Sequence, residues 1–230
     1  MSFTNSPFSV IVKKPKVYAN NTNLYAIVMD EMKKHGTGCS LNHIDISGVT
    51  SMNHLFYRRR FEGKCPDISE WNTCNVKHMD MMFAHSDFNG DILCWDTKNL
   101  ETMSNMFEGN RWFDCNISGW DTGKVYDMKF LFYSTNFNHN ISKWNVGKVK
   151  YMQCMFCGNY YFNHDISDWK LESVEDISGI FADSKFNKDV GKWAKFIKSE
   201  TKVNEMFAGN TDYSYDRSVF RNAAYKTKIA

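Results

Sequence analysis

Apolar side chains recur along this chain at an interval too long for any single helix or strand. Trp71, Trp95, Trp120, Trp144, Trp169 and Trp193 are separated by 24, 25, 24, 25 and 24 residues. The position three before each tryptophan keeps the step, as Ile68, Ile92, Ile117, Ile141, Ile166 and Val190. Phe83, Phe107, Phe132, Phe156 and Phe181 do the same, with Phe56 and Phe207 as looser copies at the ends. A period in this range marks one supersecondary unit stacked on itself. In one copy the apolar positions are Ile141, Trp144, Val149, Met152, Met155-Phe156 and Phe162. The gaps of three and four from Val149 to Phe156 predict one or two turns of helix. Asp165-Ile-Ser-Asp-Trp169 is too short for a helix and predicts a strand of three or four residues. Asn, Asp, Gly and Ser fill the rest as turns.

A single layer of apolar side chains has nothing to bury against except the next copy, so the copies must stack into one elongated body. Its ends then need covers. Asn21 to His35 predicts an amphipathic helix capped by Asn21 or Thr22, with Leu24, Ile27, Val28 and Met32 on one face and Gly36 as its stop. Phe8 to Val12 predicts a strand or an arm along the first coil. The repeats begin at Ile44-Asp-Ile46, and a truncated copy runs from Val203 to Asn210. Asp216 is placed to cap a short helix through Ala224. These boundaries give an N-terminal arm and capping helix over 1–43, a repeat region over 44–210, and a C-terminal cap and tail over 211–230.

Leu41-Asn-His-Ile-Asp-Ile-Ser47, Phe88-Asn-Gly-Asp-Ile92, Trp95-Asp-Thr-Lys-Asn-Leu100 and Met103-Ser-Asn-Met-Phe107 resemble the BspA-like leucine-rich-repeat surface proteins. The likeness is to the subgroup whose repeat reads F-N-x-D-I-S-x-W-D-x-S-x-V-x-x-M-x-x-M-F, and it covers residues 21 to 210. The resemblance implies an α/β solenoid: a leucine-rich-repeat-like stack of about seven 24/25-residue coils, with one short strand and one helical turn per coil and a helical N-terminal cap. Members of that family are mostly cell-surface or adhesion proteins, related stacks occur in phages, and the family has no catalytic residues to carry over.

Composition narrows the function. With 28 basic and 26 acidic residues the net charge is +2, so no global field selects a nucleic acid or an acidic partner. Aromatics make up 16%, but most stand at fixed repeat positions and so report the core. No apolar run is long enough to span a membrane, and Phe8–Val12 is too short for a signal-peptide core, with its lysines on the wrong side. The seven cysteines fall in no common column, which predicts reduced thiols and a cytoplasmic location. Cell-surface placement by an unrecognised export route is the alternative.

Little points to chemistry. Cys154-Met-Phe-Cys157 flanks a core pair and lacks the further ligands a zinc site needs. His139 and His164 share a column but make a weak metal pair by themselves. The column Asp67, Asp91, Asn116, Asn140, Asp165 and Asp189 reads as repeated turn residues rather than as a calcium ladder. No catalytic or nucleotide-binding phrase occurs; no enzyme, cofactor or metal is expected.

The functional signal is a loop length. The segments Glu108 to Trp112 and Cys157 to Tyr161 are one residue longer than Tyr133 to Asn136 between them. They carry Trp112, Tyr160 and Tyr161, which the repeat does not require, and stacking would place these and Tyr133 on one edge, with Tyr126 and Tyr151 as further aromatics. Arg58, Arg59 and Arg60 form the sharpest charge cluster. Clustered loop aromatics serve protein interfaces as anchors. The expected function is therefore a non-enzymatic protein–protein interaction module: an intracellular effector or inhibitor, phage or viral in kind, that binds a host protein through a lateral solenoid surface. A BspA-like adhesin is one alternative, and nucleic-acid binding through Arg58–Arg60 is another.

Overall fold

The computed structural model of the chain describes residues 15–220. The arm at Phe8–Val12 lies outside them. So do residues 221–224 of the helix expected after Asp216; within the described residues Ser218–Phe220 is helical.

The recurring apolar positions form one buried cluster that runs through every copy. The first phenylalanine of each copy lies over that of the next, in the series Phe56, Phe83, Phe107, Phe132, Phe156, Phe181 and Phe207, with centroids 5.6–5.9 Å apart. Each of these rings, from Phe83 onward, also stacks on the aromatic that closes its own loop. Phe107 and Phe113 are 3.8 Å apart, and Phe156 and Phe162 4.2 Å. Phe56 meets Phe61 edge-on instead, at 71°.

The tryptophan column adds a polar bond to its packing. Each indole N–H donates to a carbonyl one copy back: Trp71 to Leu41, Trp95 to Ile68, Trp120 to Ile92, Trp144 to Ile117, Trp169 to Ile141 and Trp193 to Ile166, at 3.0–3.3 Å. These side chains are buried, so each N–H would otherwise lose its partner in water. The column therefore fixes the register between copies as well as filling the core.

Backbone bonds join the copies through the segment that holds the methionines. Between the second and third copies, the N–H groups of Met79, Met81, Phe83 and His85 donate to Thr102, Ser104, Met106 and Glu108 at 3.0, 2.9, 2.9 and 2.6 Å. Donors two residues apart have the step of a parallel strand. The amides between them turn back within their own copy, Met82 to Met79 at 3.3 Å and Ala84 to Met81 at 3.2 Å. This four-rung pattern recurs from Met52–Arg58 through Ile177–Asp183. Isolated parallel bridges continue the series: Ser51 to His78, then Thr102, Asp127, Tyr151, Asp176 and Lys202.

That arrangement corrects the expected division of each coil into a strand and a helical turn. The methionine segment carries the strand-like pairing and no α-helix. The Asp-Ile-Ser-x-Trp segment is a tight turn in which the acidic or amide side chain accepts the N–H two residues on, at 2.8–3.1 Å for Asp67, Asp91, Asn116, Asn140, Asp165 and Asp189. The Ser167 backbone and hydroxyl bonds hold the Asp165 carboxyl below the usual range. Among the described residues, besides the helical residues Ser218–Phe220, the regular elements are β1 (Val17–Asn20), α1 (Leu24–His35), β2 (Ile44–Gly48) and a 3-10 helix over Gly191–Phe196. β1 and β2 pair in parallel.

α1 buries Leu24, Val28 and Met32, leaves Ile27 partly covered, and places Lys33, Lys34 and His35 in its last turn, where they suit the helix dipole. Gly36, at φ 85°, ends it. Its start differs from the expected cap. Asn23 precedes the first helical residue, and Asn21 instead accepts the N–H groups of Thr50 and Ser51 at 2.8 and 3.1 Å. In later copies the equivalent amides go to a backbone carbonyl of the preceding copy, as Glu101 and Thr102 go to Lys77. Asn21 thus supplies the acceptor that a preceding coil would have given. At the far end Arg217 lies over Phe207 and Tyr213 and donates to the carbonyls of Phe207, Asn210 and Tyr213 at 3.3, 2.7 and 3.2 Å.

Replacing Trp120 by Phe keeps an aromatic filler but removes the bond to Ile92. The loss should be about 2 kcal/mol, read as a lower urea midpoint at unchanged slope. A variant as stable as the parent would show that the indole N–H contributes nothing to register.

Candidate functional site

The loops that carry the candidate aromatics are built on a buried asparagine. In the long loop of the third copy, the side-chain amide of Asn110 donates to Phe88 O at 2.9 Å, and its oxygen accepts the N–H groups of Trp112 and Phe113, both at 3.1 Å. Asn159 does the same in the fifth copy, to Phe137 O and from Tyr161 and Phe162. Asn210 repeats it in the last copy, to Phe186 O and from Asp212 and Tyr213. All three are buried. Each also reaches a hydroxyl on the copy before it: Ser86, Thr135 or Ser184.

A glycine precedes each of these asparagines. Gly109, Gly158 and Gly209 have φ of 66°, 68° and 66°, and a Cβ on any of them would run into the side chain of His85, Ser134 or Asp183 on the copy before. Copies therefore alternate: a short one with a hydroxyl, then a long one with Gly-Asn. The extra residue noted in the sequence is the space between the asparagine and its closing aromatic. Two side chains there are left outside the core, Arg111-Trp112, Tyr160-Tyr161 and Thr211-Asp212. Trp112, Tyr160 and Tyr161 are 55%, 58% and 56% exposed.

The remaining candidates divide. Tyr133 is half-buried against Phe130, so it serves its own loop more than the surface. Arg60 lies over the Trp112 ring at 5.5 Å, which joins the arginine cluster to the aromatic edge. Arg59 lies over Tyr25 and donates to its hydroxyl at 2.6 Å, and Arg58 lies over Tyr57. Tyr25 and Tyr57 were not foreseen, because their nearness to the cluster depends on how α1 docks and how the first loop folds. Tyr126 and Tyr151 do not join this edge. They line a groove at the start of the methionine segment, with Lys124, Lys148, Lys150 and Ser173.

Groups with reactive chemistry are turned to structural use. Met155 and Phe156 are buried in the core between Cys154 and Cys157. Burial pushes both thiols up, Cys157 to about 12, so neither is a nucleophile near neutral pH. His139 bonds the backbone and carboxylate of Asp114, and His164 bonds Asn138 O, each one copy back. Among the described residues no group of three or more His, Cys, Asp or Glu side chains could hold a metal ion, and no helix is long and apolar enough to cross a membrane.

Asn159→Ala should cost about 3 kcal/mol, because it strands two backbone N–H groups and one carbonyl. It should also free the Tyr160-Tyr161 loop, seen as faster amide exchange there than in Asn136→Ala, whose lost bond to Arg111 is exposed. Equal stability of the two variants would overturn the asparagine's role as the loop's support.

One family model matches the chain, that of the Mycoplasma protein of unknown function, DUF285. It matches twice, over residues 27–135 and 109–220. Among curated proteins and among solved structures, no match to the chain is found.

Proposed function

The chain belongs to the DUF285 family, and from that premise we propose that it is a non-enzymatic protein-binding module. In this reading the copies form a leucine-rich-repeat-like solenoid of the BspA-like kind, and the long-loop edge is its lateral binding surface. One observation carries the reading. The three long loops share the same buried frame of Gly, Asn and closing aromatic, yet present Arg111-Trp112, Tyr160-Tyr161 and Thr211-Asp212 to solvent. A constant support under differing exposed pairs is the layout of a recognition surface. Rigid aromatic anchors also lose little conformational entropy on binding.

The partner in this proposal is a host protein, and the chain acts inside the cell as a phage or viral type of effector or inhibitor. Its seven cysteines, an odd number scattered over different repeat positions, support that placement, since thiols outside the cell tend to oxidise. The BspA-like resemblance supports the second reading, an adhesin at the cell surface. Both use the same edge. Arg58, Arg59 and Arg60, held against aromatic rings, extend that edge toward the first copy instead of forming a separate nucleic-acid site.

The test is capture of binding proteins from candidate host lysates by the native chain, by Trp112→Ala/Tyr160→Ala, and by Lys143→Ala as a control away from the edge. The double variant should lose the captured protein by about tenfold or more, while the control retains it. Equal capture by all three would contradict the edge as the binding surface.

A further inference from the structure

The groove between Tyr126 and Tyr151 differs from the rest of its face in how charge is placed. Elsewhere on that face, four lysines sit against carboxylates on the same or an adjacent copy. Lys77 meets Glu101 at 2.9 Å, Lys150 meets Glu175 at 2.9 Å, Lys129 meets Asp127 at 3.0 Å and Lys202 meets Asp176 at 3.8 Å. Lys124 and Lys148 break this rule. They hold the same position in successive copies, immediately before Val125 and Val149, and the two copies are in register there because Lys150 N–H donates to Tyr126 O at 2.9 Å. Equivalent positions on neighbouring rungs lie about 5 Å apart, and like charges so placed repel. Among the described residues neither makes an ion pair: Lys124 bonds the neutral amide of Asn99 on the copy before, with Glu101 further off, and Glu172 lies beside Gly147 without closing on Lys148.

The walls suit a ring. Tyr126 is 39% exposed and stacks on no other aromatic among the described residues, and the Tyr151 hydroxyl is tethered to Glu175 at 3.1 Å. Glu175 is also taken up by Lys150, so that pair is neutral, and of the lysines lining the groove Lys124 and Lys148 are the two without an ion pair among the described residues. The groove is shallow and open to solvent, with about 540 Å³ of space along it, within the range of sites for small organic molecules.

We propose that this groove binds a small phosphate monoester carried on a ring, with the dianion between Lys124 and Lys148 and the ring against Tyr126 and Tyr151. The two lysines select an anion that both can reach, and the tyrosines select a ring-bearing ester over the free ion. The site is separate from the loop edge and does not depend on it.

Phenyl phosphate and inorganic phosphate, titrated into the full chain with amide shifts followed by NMR, test the assignment. Phenyl phosphate should shift the Tyr126 and Tyr151 amides saturably and bind about tenfold more tightly than inorganic phosphate. Lys124→Ala and Lys148→Ala should each weaken it by about tenfold, while Lys64→Ala should leave it unchanged. The exposed positions of these lysines let circular dichroism confirm that each variant folds as the parent does. No saturation by about 10 mM phenyl phosphate, or unchanged affinity in Lys148→Ala, would overturn the site. Equal binding of the two phosphates would overturn the ring-bearing assignment.

Discussion

Every copy in this chain leaves backbone groups that only its neighbour can satisfy. In every described copy but the last, four N–H groups point forward to carbonyls of the next, and each core indole points back to a carbonyl of the copy before. A buried amide without a partner costs about 1–3 kcal/mol, so an isolated copy would be unstable by several such costs even before its apolar layer is counted. The same demand explains the backbone. Donors can alternate with inward turns only if certain residues adopt a left-handed conformation, and two positions per copy do so, among them Met81 and His85, Phe130 and Ser134, and Cys154 and Gly158. For residues other than glycine this conformation costs about 1–2 kcal/mol each, and the bonds between copies offset it.

The alternation of short and long loops follows from packing at one of those positions. A side chain on the short copy leans toward the next copy, and a glycine there makes room for it. The asparagine that follows then ties the two copies together through Ser86, Thr135 or Ser184. Because the asparagine is buried and fully bonded, its loop is held firmly while the two residues beyond it are free to vary. This joins stability to the proposed function: the frame that closes the core is also what presents Trp112 and Tyr160. On a second face, at the start of the methionine segment, several lysines pair with carboxylates, while Lys124 and Lys148 make no ion pair among the described residues.

The repeat, the core positions and the turn role of the Asp/Asn column were legible because burial follows the period and an Asx side chain bonds locally. The local structure of the methionine segment was not. Gaps of three and four fit one face of a helix and equally fit a run of three-residue turns, as at Met79, Met82 and Phe83. The left-handed positions that would have separated the two are glycine in only some copies. The long loops were visible as a one-residue insertion, and Gly109-Asn110, Gly158-Asn159 and Gly209-Asn210 carried the signal for their support. The contact of Arg60 with Trp112 spans two copies and could not be read from spacing. Tyr126 and Tyr151 stand in the sequence as further aromatics outside the long loops, and the groove they share depends on how successive copies align, which spacing does not give.

Residue-level amide hydrogen exchange tests the central claim most directly. Met103, Asn105, Phe107 and Gly109, whose N–H groups bond forward to the fourth copy, should be strongly protected. Val203, Glu205, Phe207 and Gly209 hold the same positions in the last copy, beyond which the described residues contain no further copy, and should exchange much faster. Similar rates in the two sets, or rapid exchange through the middle copies, would contradict a fold held together by bonds from each copy to the next.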